Sequence, residues 1–167
     1  MSIHNVKIGD KAPDVVNVII EIPAGCKNKY EFDEETGAIF LDRVNHTAMA
    51  HPYDYGFIPD TRSEDNDHLD AFVINDYSVF SGCVVPARPV GIIYMIDDSK
   101  KDEKIICVPN RDSRYDHVKD LADLNQHISK EIQYFLEHYK DLQNKKCEVT
   151  GWGGRLEALR AIKESKE

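Results

Sequence analysis

Ser63-Glu64-Asp65-Asn66-Asp67-His68-Leu69-Asp70-Ala71-Phe72-Val73-Ile74-Asn75 crowds three aspartates, Asp65, Asp67 and Asp70, immediately ahead of an apolar run. Like charges in one small volume raise each other's pKa, and a divalent cation set among them is the usual way to keep all of them ionised. Donors that are all oxygen suit a hard ion. Magnesium and manganese are commonly held by a few carboxylates together with waters and substrate phosphates. An EF-hand calcium loop does not fit. Counted from Asp65, its glycine position holds Asp70 and its glutamate position holds Asp76. A solvated acidic turn ahead of a strand remains the alternative.

Moving outward, a second acidic stretch has the same make-up. Asp97, Asp98, Asp102 and Glu103 surround Lys100 and Lys101, and Lys104 opens the next strand. Alone this reads as a solvated hairpin tip. Two acidic clusters, each at a strand end and each beside a lysine, fit a site that gathers several divalent ions and an anionic substrate.

The rest of the chain reads as strands followed by helices. Residues 15–22 form a Val/Ile-rich strand closed by Pro23, Ala24 and Gly25, with Glu21 interrupting it and expected to face solvent. Alternation over residues 29–33 puts Lys29, Glu31 and Asp33 on one face and Tyr30 and Phe32 on the other. A turn then leads into residues 38–43, so the pair predicts a hairpin presenting Lys29, Glu31 and Arg43. Residues 52–59, dense in aromatics and turn-formers, predict an ordered loop packed on the core, in which Tyr55 either bonds backbone or lines a phosphate site.

Further strands are predicted at residues 71–74, 84–86, 90–96, 104–108 and 147–152. From 121 to 142, Leu124, Ile128, Ile132, Phe135, Leu136 and Tyr139 recur at helical spacing. His127 and His138 fall on that helix without metal-ligand spacing, and Lys140 near its end suits the helix dipole. A terminal helix is predicted at residues 155–166.

With 167 residues and 41% hydrophobic content, the chain suits one domain, 1–167, able to bury its own core. A net charge of −9 argues against nucleic acid and anionic membranes as partners, since both are bound through many basic residues. Cys26, Cys83, Cys107 and Cys147 are widely spaced and suggest neither zinc nor a disulfide framework. Residues 1–14 hold no signal-peptide pattern and no apolar run is long enough for a membrane span, so a cytoplasmic protein is expected.

Several motifs in order carry a resemblance: residues 18–23 (VIIEIP), Lys29-Tyr30-Glu31, Leu41-Asp42-Arg43, residues 52–58, Asp65-Asn66-Asp67 through Asp70, Asp97 through Lys104, and residues 137–142 (EHYKDL). Over nearly its whole length the chain resembles the soluble family I inorganic pyrophosphatases of the bacterial type. The resemblance implies an α+β, mainly β fold, a five-stranded OB-like barrel with flanking helices. It also implies magnesium-dependent hydrolysis of pyrophosphate, with manganese or other divalent ions as substitutes. Carried over by position, Asp65, Asp70 and Asp102 would hold the activating metals and Asp97 would join Asp102 around a substrate-borne metal, with Glu21 and Glu31 assisting. Asp67 would be the general base. Lys29, Arg43, Tyr55, Lys104, Tyr139 and Lys140 would bind the phosphates. A homo-oligomer, hexameric by resemblance, is implied as well.

Three positions depart from the pattern. His68 stands where the family usually has proline, so it restores an amide proton and either packs or adds a titrating group. His51 stands where an aromatic residue is common, and Gln133 where bacterial relatives often carry a histidine at subunit contacts. Two other functions compete. One is an OB-like module that binds nucleotides or nucleic acid without turnover, which the full carboxylate set disfavours. The other is a metal-dependent hydrolase of larger phosphate compounds, separable by comparing pyrophosphate with nucleoside triphosphates.

Overall fold

A computed structural model describes residues 3–64 and 66–167. Its strands are β1 (Val16–Ile22), β2 (Asn28–Asp33), β3 (Ala38–Val44), β4 (Asp54–Ile58), β5 (Leu69–Val73), β6 (Val84–Asp97), β7 (Lys100–Pro109) and β8 (Cys147–Gly153). The helices are α1 (Gln126–His138) and α2 (Arg155–Ser165). The sheet order β1-β4-β5-β7-β6-β8, with β1 also pairing β6, closes β1, β4, β5, β7 and β6 into a five-stranded ring. This is the expected OB-like barrel. β8 extends the sheet from β6, and β2–β3 forms a separate hairpin.

Closure explains why the strands read as nearly continuous apolar runs: both faces are covered. One cluster takes Val16, Val18 and Ile20 from β1, Ile58 from β4, Leu69, Ala71 and Val73 from β5, Ala87 and Ile92 from β6, and Ile105 and Cys107 from β7, with Ala158, Ala161 and Ile162 of α2. The intervening residues Phe72, Ile93, Ile106 and Val108 belong to a second cluster with Ile132, Phe135 and Leu136 of α1. The period of two thus distributes one strand's side chains between two cores.

Four expectations need correction. Residues 52–59 are not a loop. Asp54–Ile58 is a ring strand between β1 and β5, hidden in the sequence by its aromatics and by Gly56. Glycine is required there because a Cβ would lie 1.9 Å from the Ile19 carbonyl oxygen. Residues 84–86 and 90–96 belong to one strand, β6, whose register shifts between Pro89 and Gly91 where proline withholds its amide. The helix expected over 121–142 is shortened to Gln126–His138 and flanked by 3-10 turns at Leu121–Asp123 and Asp141–Gln143. Asp120 caps the first turn, and the Asn125 side chain accepts from the His127 amide to begin α1 afresh. Glu21, expected in solvent, lines a pocket instead.

Gln133 is engaged within the chain, donating to Glu137 at 3.1 Å and accepting from the Trp152 indole at 3.3 Å. The four cysteines are free thiols. Among the described residues no helix is long and apolar enough to cross a membrane.

Candidate active site

At one side of the barrel lies a pocket of about 560 Å³. Its lining includes Glu21 from β1, Lys29 and Glu31 from β2, Arg43 from β3, Tyr55 from β4, and Asp67 and Asp70 from the acidic segment. Asp97, Asp102 and Lys104 from the β6–β7 hairpin and Tyr139 and Lys140 after α1 complete the set. Thus all the residues expected at the site among those described share one cavity. Asp65 lies outside the described residues.

Strand register brings the distant ones together. Asp70 is not in the acidic turn but within β5, where it pairs in parallel register with Lys104 of β7. Lys104 Nζ donates to Asp70 Oδ2 at 2.8 Å, to Asp102 Oδ2 at 2.9 Å and to the Tyr55 hydroxyl at 3.0 Å. The Tyr55 hydroxyl in turn donates to Asp70 at 2.5 Å. Burial pulls the Lys104 pKa down, but Asp70, Tyr55 and Asp102 outweigh it and hold the pKa well above that of a free lysine. Asp102 is raised, by burial first and then by Asp70, against the pull of Lys104. Burial likewise pushes the Tyr55 hydroxyl well up, so it stays protonated.

At the hairpin end of the same wall, Asp97 accepts from Lys140 Nζ and from the Cys147 thiol at 3.2 Å. Cys147 is the direct cross-strand partner of Asp97. Burial opposes ionisation of Asp97, yet these two donors keep its pKa below the ordinary carboxylate value. Lys140 therefore turns from the helix carbonyls, its expected partners, into the pocket, where it is 8% exposed. Tyr139 stacks on Phe135 with ring centres 4.7 Å apart, which fixes the approach to the pocket.

On the facing wall the β2–β3 register sets Lys29 opposite Arg43. Asp42 holds both, at 3.4 Å and 2.7 Å respectively, and Lys29 also contacts Glu31. The Arg43 Nε is buried and has no hydrogen-bond partner among the described residues. An unpaired guanidinium N–H on a residue that lines a pocket with other cations is suited to an anion's oxygens. Beside this wall, burial raises the Glu21 pKa to about 8, although the Phe32 amide donates to it at 2.7 Å.

The donor set fits a divalent cation chemically: Glu21, Glu31, Asp70, Asp97 and Asp102 offer carboxylate oxygens around one cavity. Among the described residues no three such groups converge on a single point, because Lys104 stands between Asp70 and Asp102 and Lys140 sits on Asp97. Arg62, Glu34 and Phe57 also line the pocket and are not among the residues expected there from the sequence. Arg62 adjoins the acidic segment and was visible as its nearest cation. Glu34 meets it across 28 positions and left no local signal. His68 proves to be both packed and polar: its ring stacks on Phe57, 4.7 Å between centres, and its Nε2 lies 2.6 Å from Glu34.

Comparison with known proteins bears on this geometry. A family model described as inorganic pyrophosphatase matches residues 18–167. The chain is 51% identical over 138 residues to an inorganic pyrophosphatase of Synechocystis, covering 83% of this chain and 82% of that one. It is 45% identical over 165 residues to an inorganic pyrophosphatase of Thermus thermophilus, covering 97% and 94%. A crystal structure of inorganic pyrophosphatase from Thermus thermophilus superposes with a TM-score of 0.95 at 43% identity, covering 99% of this chain and 97% of that chain.

Proposed function

This chain belongs to the inorganic pyrophosphatase family, metal-dependent hydrolases that convert pyrophosphate to phosphate, and we propose that it performs that reaction with Asp67 as general base in the pocket just described. The observation that carries the assignment of residues is the arrangement of charge. Carboxylates line the same small cavity as the cations Lys29, Arg43, Lys104 and Lys140.

Magnesium is the cation that suits this oxygen-only set, with Asp65, Asp70, Asp97 and Asp102 as principal ligands and Glu21 and Glu31 assisting. Bound there, divalent ions supply positive charge and Lewis acidity toward the phosphoryl oxygens and the attacking water. The chain's own groups do the rest. Asp67, an exposed residue of the pocket lining, orients the attacking water and takes its proton. Lys29 and Arg43 hold one phosphoryl group from the hairpin wall, with the free Arg43 Nε completing a two-point grip.

Lys140 and the Tyr139 hydroxyl contact the other phosphoryl group. Lys104 keeps its proton throughout and, with the Tyr55 hydroxyl, neutralises charge that gathers on the leaving phosphate. No covalent intermediate is required.

The single domain works in the cytoplasm as a homo-oligomer. Exposed Phe40, Leu41 and Val44 on β3 supply apolar surface in support of the latter. Phosphate release from pyrophosphate, with magnesium and without it, tests the assignment when native protein and Asp67→Asn run in parallel. Magnesium-dependent release that collapses in Asp67→Asn is expected. A folded native protein that releases no phosphate with magnesium or manganese overturns the reading.

A further inference from the structure

The turn after β2 and the segment carrying Asp67 are far apart in sequence, yet one carboxylate ties them together. Glu34 Oε1 and Oε2 accept from Arg62 Nη1 and Nη2 at 2.8 and 3.0 Å, a two-pronged contact. Glu34 Oε1 also lies 2.6 Å from His68 Nε2. Arg62 and His68 bracket Asp67, so Glu34 grips the segment on both sides of it.

Each end of the grip is itself anchored. The Arg62 amide donates to the Ser165 carbonyl at 2.7 Å, and His68 Nδ1 donates to the Thr61 carbonyl at 2.9 Å. Inside the segment the Ser63 amide donates to the Asp67 carbonyl at 2.8 Å, and Asn66 takes the left-handed backbone conformation that lets the chain reverse there. Beneath the carboxylate, His68 stacks on Phe57 and Phe57 on Phe32, with ring centres 4.7 and 5.6 Å apart. Phe32 belongs to β2, the strand that also carries Lys29.

We infer that Glu34 is a positioning residue: through the two-pronged Arg62 contact, with His68 packed beside it, it fixes the Asp67 segment against the β2–β3 hairpin, and so fixes the base relative to the phosphate-gripping Lys29 and Arg43. The inference rests on the pyrophosphatase reading and on Asp67 as base. A hydrogen-bonded His68 thereby supplies, through side-chain contacts, the restraint on the turn that a proline would supply through its ring. Displacement of a catalytic group by about 1 Å can cost about 100-fold in rate. Loss of the grip is therefore expected to act on kcat, while KM follows Lys29 and Arg43, with which Glu34 forms no ion pair or hydrogen bond among the described residues.

The experiment compares native protein, Glu34→Ala, Glu34→Gln, Arg62→Lys, the neighbouring exposed-site control Glu35→Ala and Asp67→Asn in magnesium-dependent pyrophosphate hydrolysis. Thermal unfolding is recorded for each. Glu34→Ala should lower kcat by about 10- to 100-fold with KM within about twofold of native and the protein folded at assay temperature. Glu34→Gln, which keeps an acceptor oxygen, should recover part of the loss, and Glu35→Ala should be neutral. Arg62→Lys keeps charge but loses the fork, and should reproduce the kcat loss should Glu34→Ala fail to fold. Native-like kcat in Glu34→Ala or Arg62→Lys overturns the inference, as does a loss that merely tracks the unfolded fraction. If native protein is active, Asp67→Asn is inactive and Glu34→Ala is native-like, the inference alone fails. If native protein is inactive or Asp67→Asn retains full activity, the reading beneath it fails.

Discussion

Asp70 and Lys104 are register partners on the parallel strands β5 and β7, and the lysine ammonium donates to the aspartate at 2.8 Å. Backbone pairing alone thus places a cation among the site's carboxylates, where it also meets Asp102. Lys104 is 4% exposed, and removing one partner of a buried pair leaves uncompensated charge that costs roughly 3–5 kcal/mol. The carboxylates are partly exposed, which trims the figure. Lys104→Met should lose about 2 kcal/mol of unfolding free energy in chelator, read by urea titration. Magnesium should return most of it by supplying counter-charge to the same carboxylates. A variant as stable as native in chelator would remove Lys104 from this role.

Glu21 gives a pH-dependent companion effect. Burial lifts its pKa from an ordinary 4.5 to about 8. Because the folded value lies above the unfolded one, the contribution to stability is complete below about pH 4.5 and is lost as pH rises to about 8. Glu21→Gln keeps an oxygen for the Phe32 amide and has no proton to lose. In chelator it should match native at pH 4.5 and exceed it at pH 8 by on the order of 4 kcal/mol, while losing activity with magnesium. A stability difference that is the same at both pH values would refute this.

His51 works on the acid side. Its ring is 5% exposed among Phe135, Tyr55 and Tyr139, and burial lowers its pKa from 6.5 to about 4. The unfolded chain therefore takes up a proton below pH 6.5 that the folded chain refuses until about pH 4, so stability falls as pH falls through that window. His51→Phe should flatten the decline, with a gain approaching 3 kcal/mol at pH 4 and little change at pH 8. Melting temperatures across pH 4–8 decide it, and parallel curves for the two proteins would rule His51 out.

Much of this is legible in the sequence, and the exceptions have physical causes. The strands of β1, β5 and β7 announced themselves because ring closure buries both faces and leaves Val/Ile/Phe runs. β4 does not, since Gly56, which interrupts its run, answers a packing need, a Cβ too close to Ile19, that only the folded ring creates. The acidic clusters marked the site because crowded carboxylates are costly anywhere. Glu21 resisted reading because a single carboxylate in an apolar strand looks the same whether it faces water or a pocket. The Asp97–Cys147 and Glu34–Arg62 contacts depend on register and on the hairpin's placement, neither of which local pattern encodes.

Arg43 separates charge from geometry at the phosphate grip. Asp42 takes its Nη1 at 2.7 Å, while its buried Nε has no partner among the described residues. A planar guanidinium can present such an N–H to phosphate in a fixed direction, whereas a lysine ammonium offers a point charge on a shorter reach. Arg43→Lys keeps the net charge and a cation for Asp42, so the fold should stay within about 0.5 kcal/mol of native. The lost directional contact to substrate should cost about 2 kcal/mol, or roughly 30-fold in kcat/KM. Steady-state kinetics on pyrophosphate, with urea titration alongside, provide the check. An Arg43→Lys enzyme within twofold of native would mean that charge at this wall suffices and that the free Nε takes no part in binding.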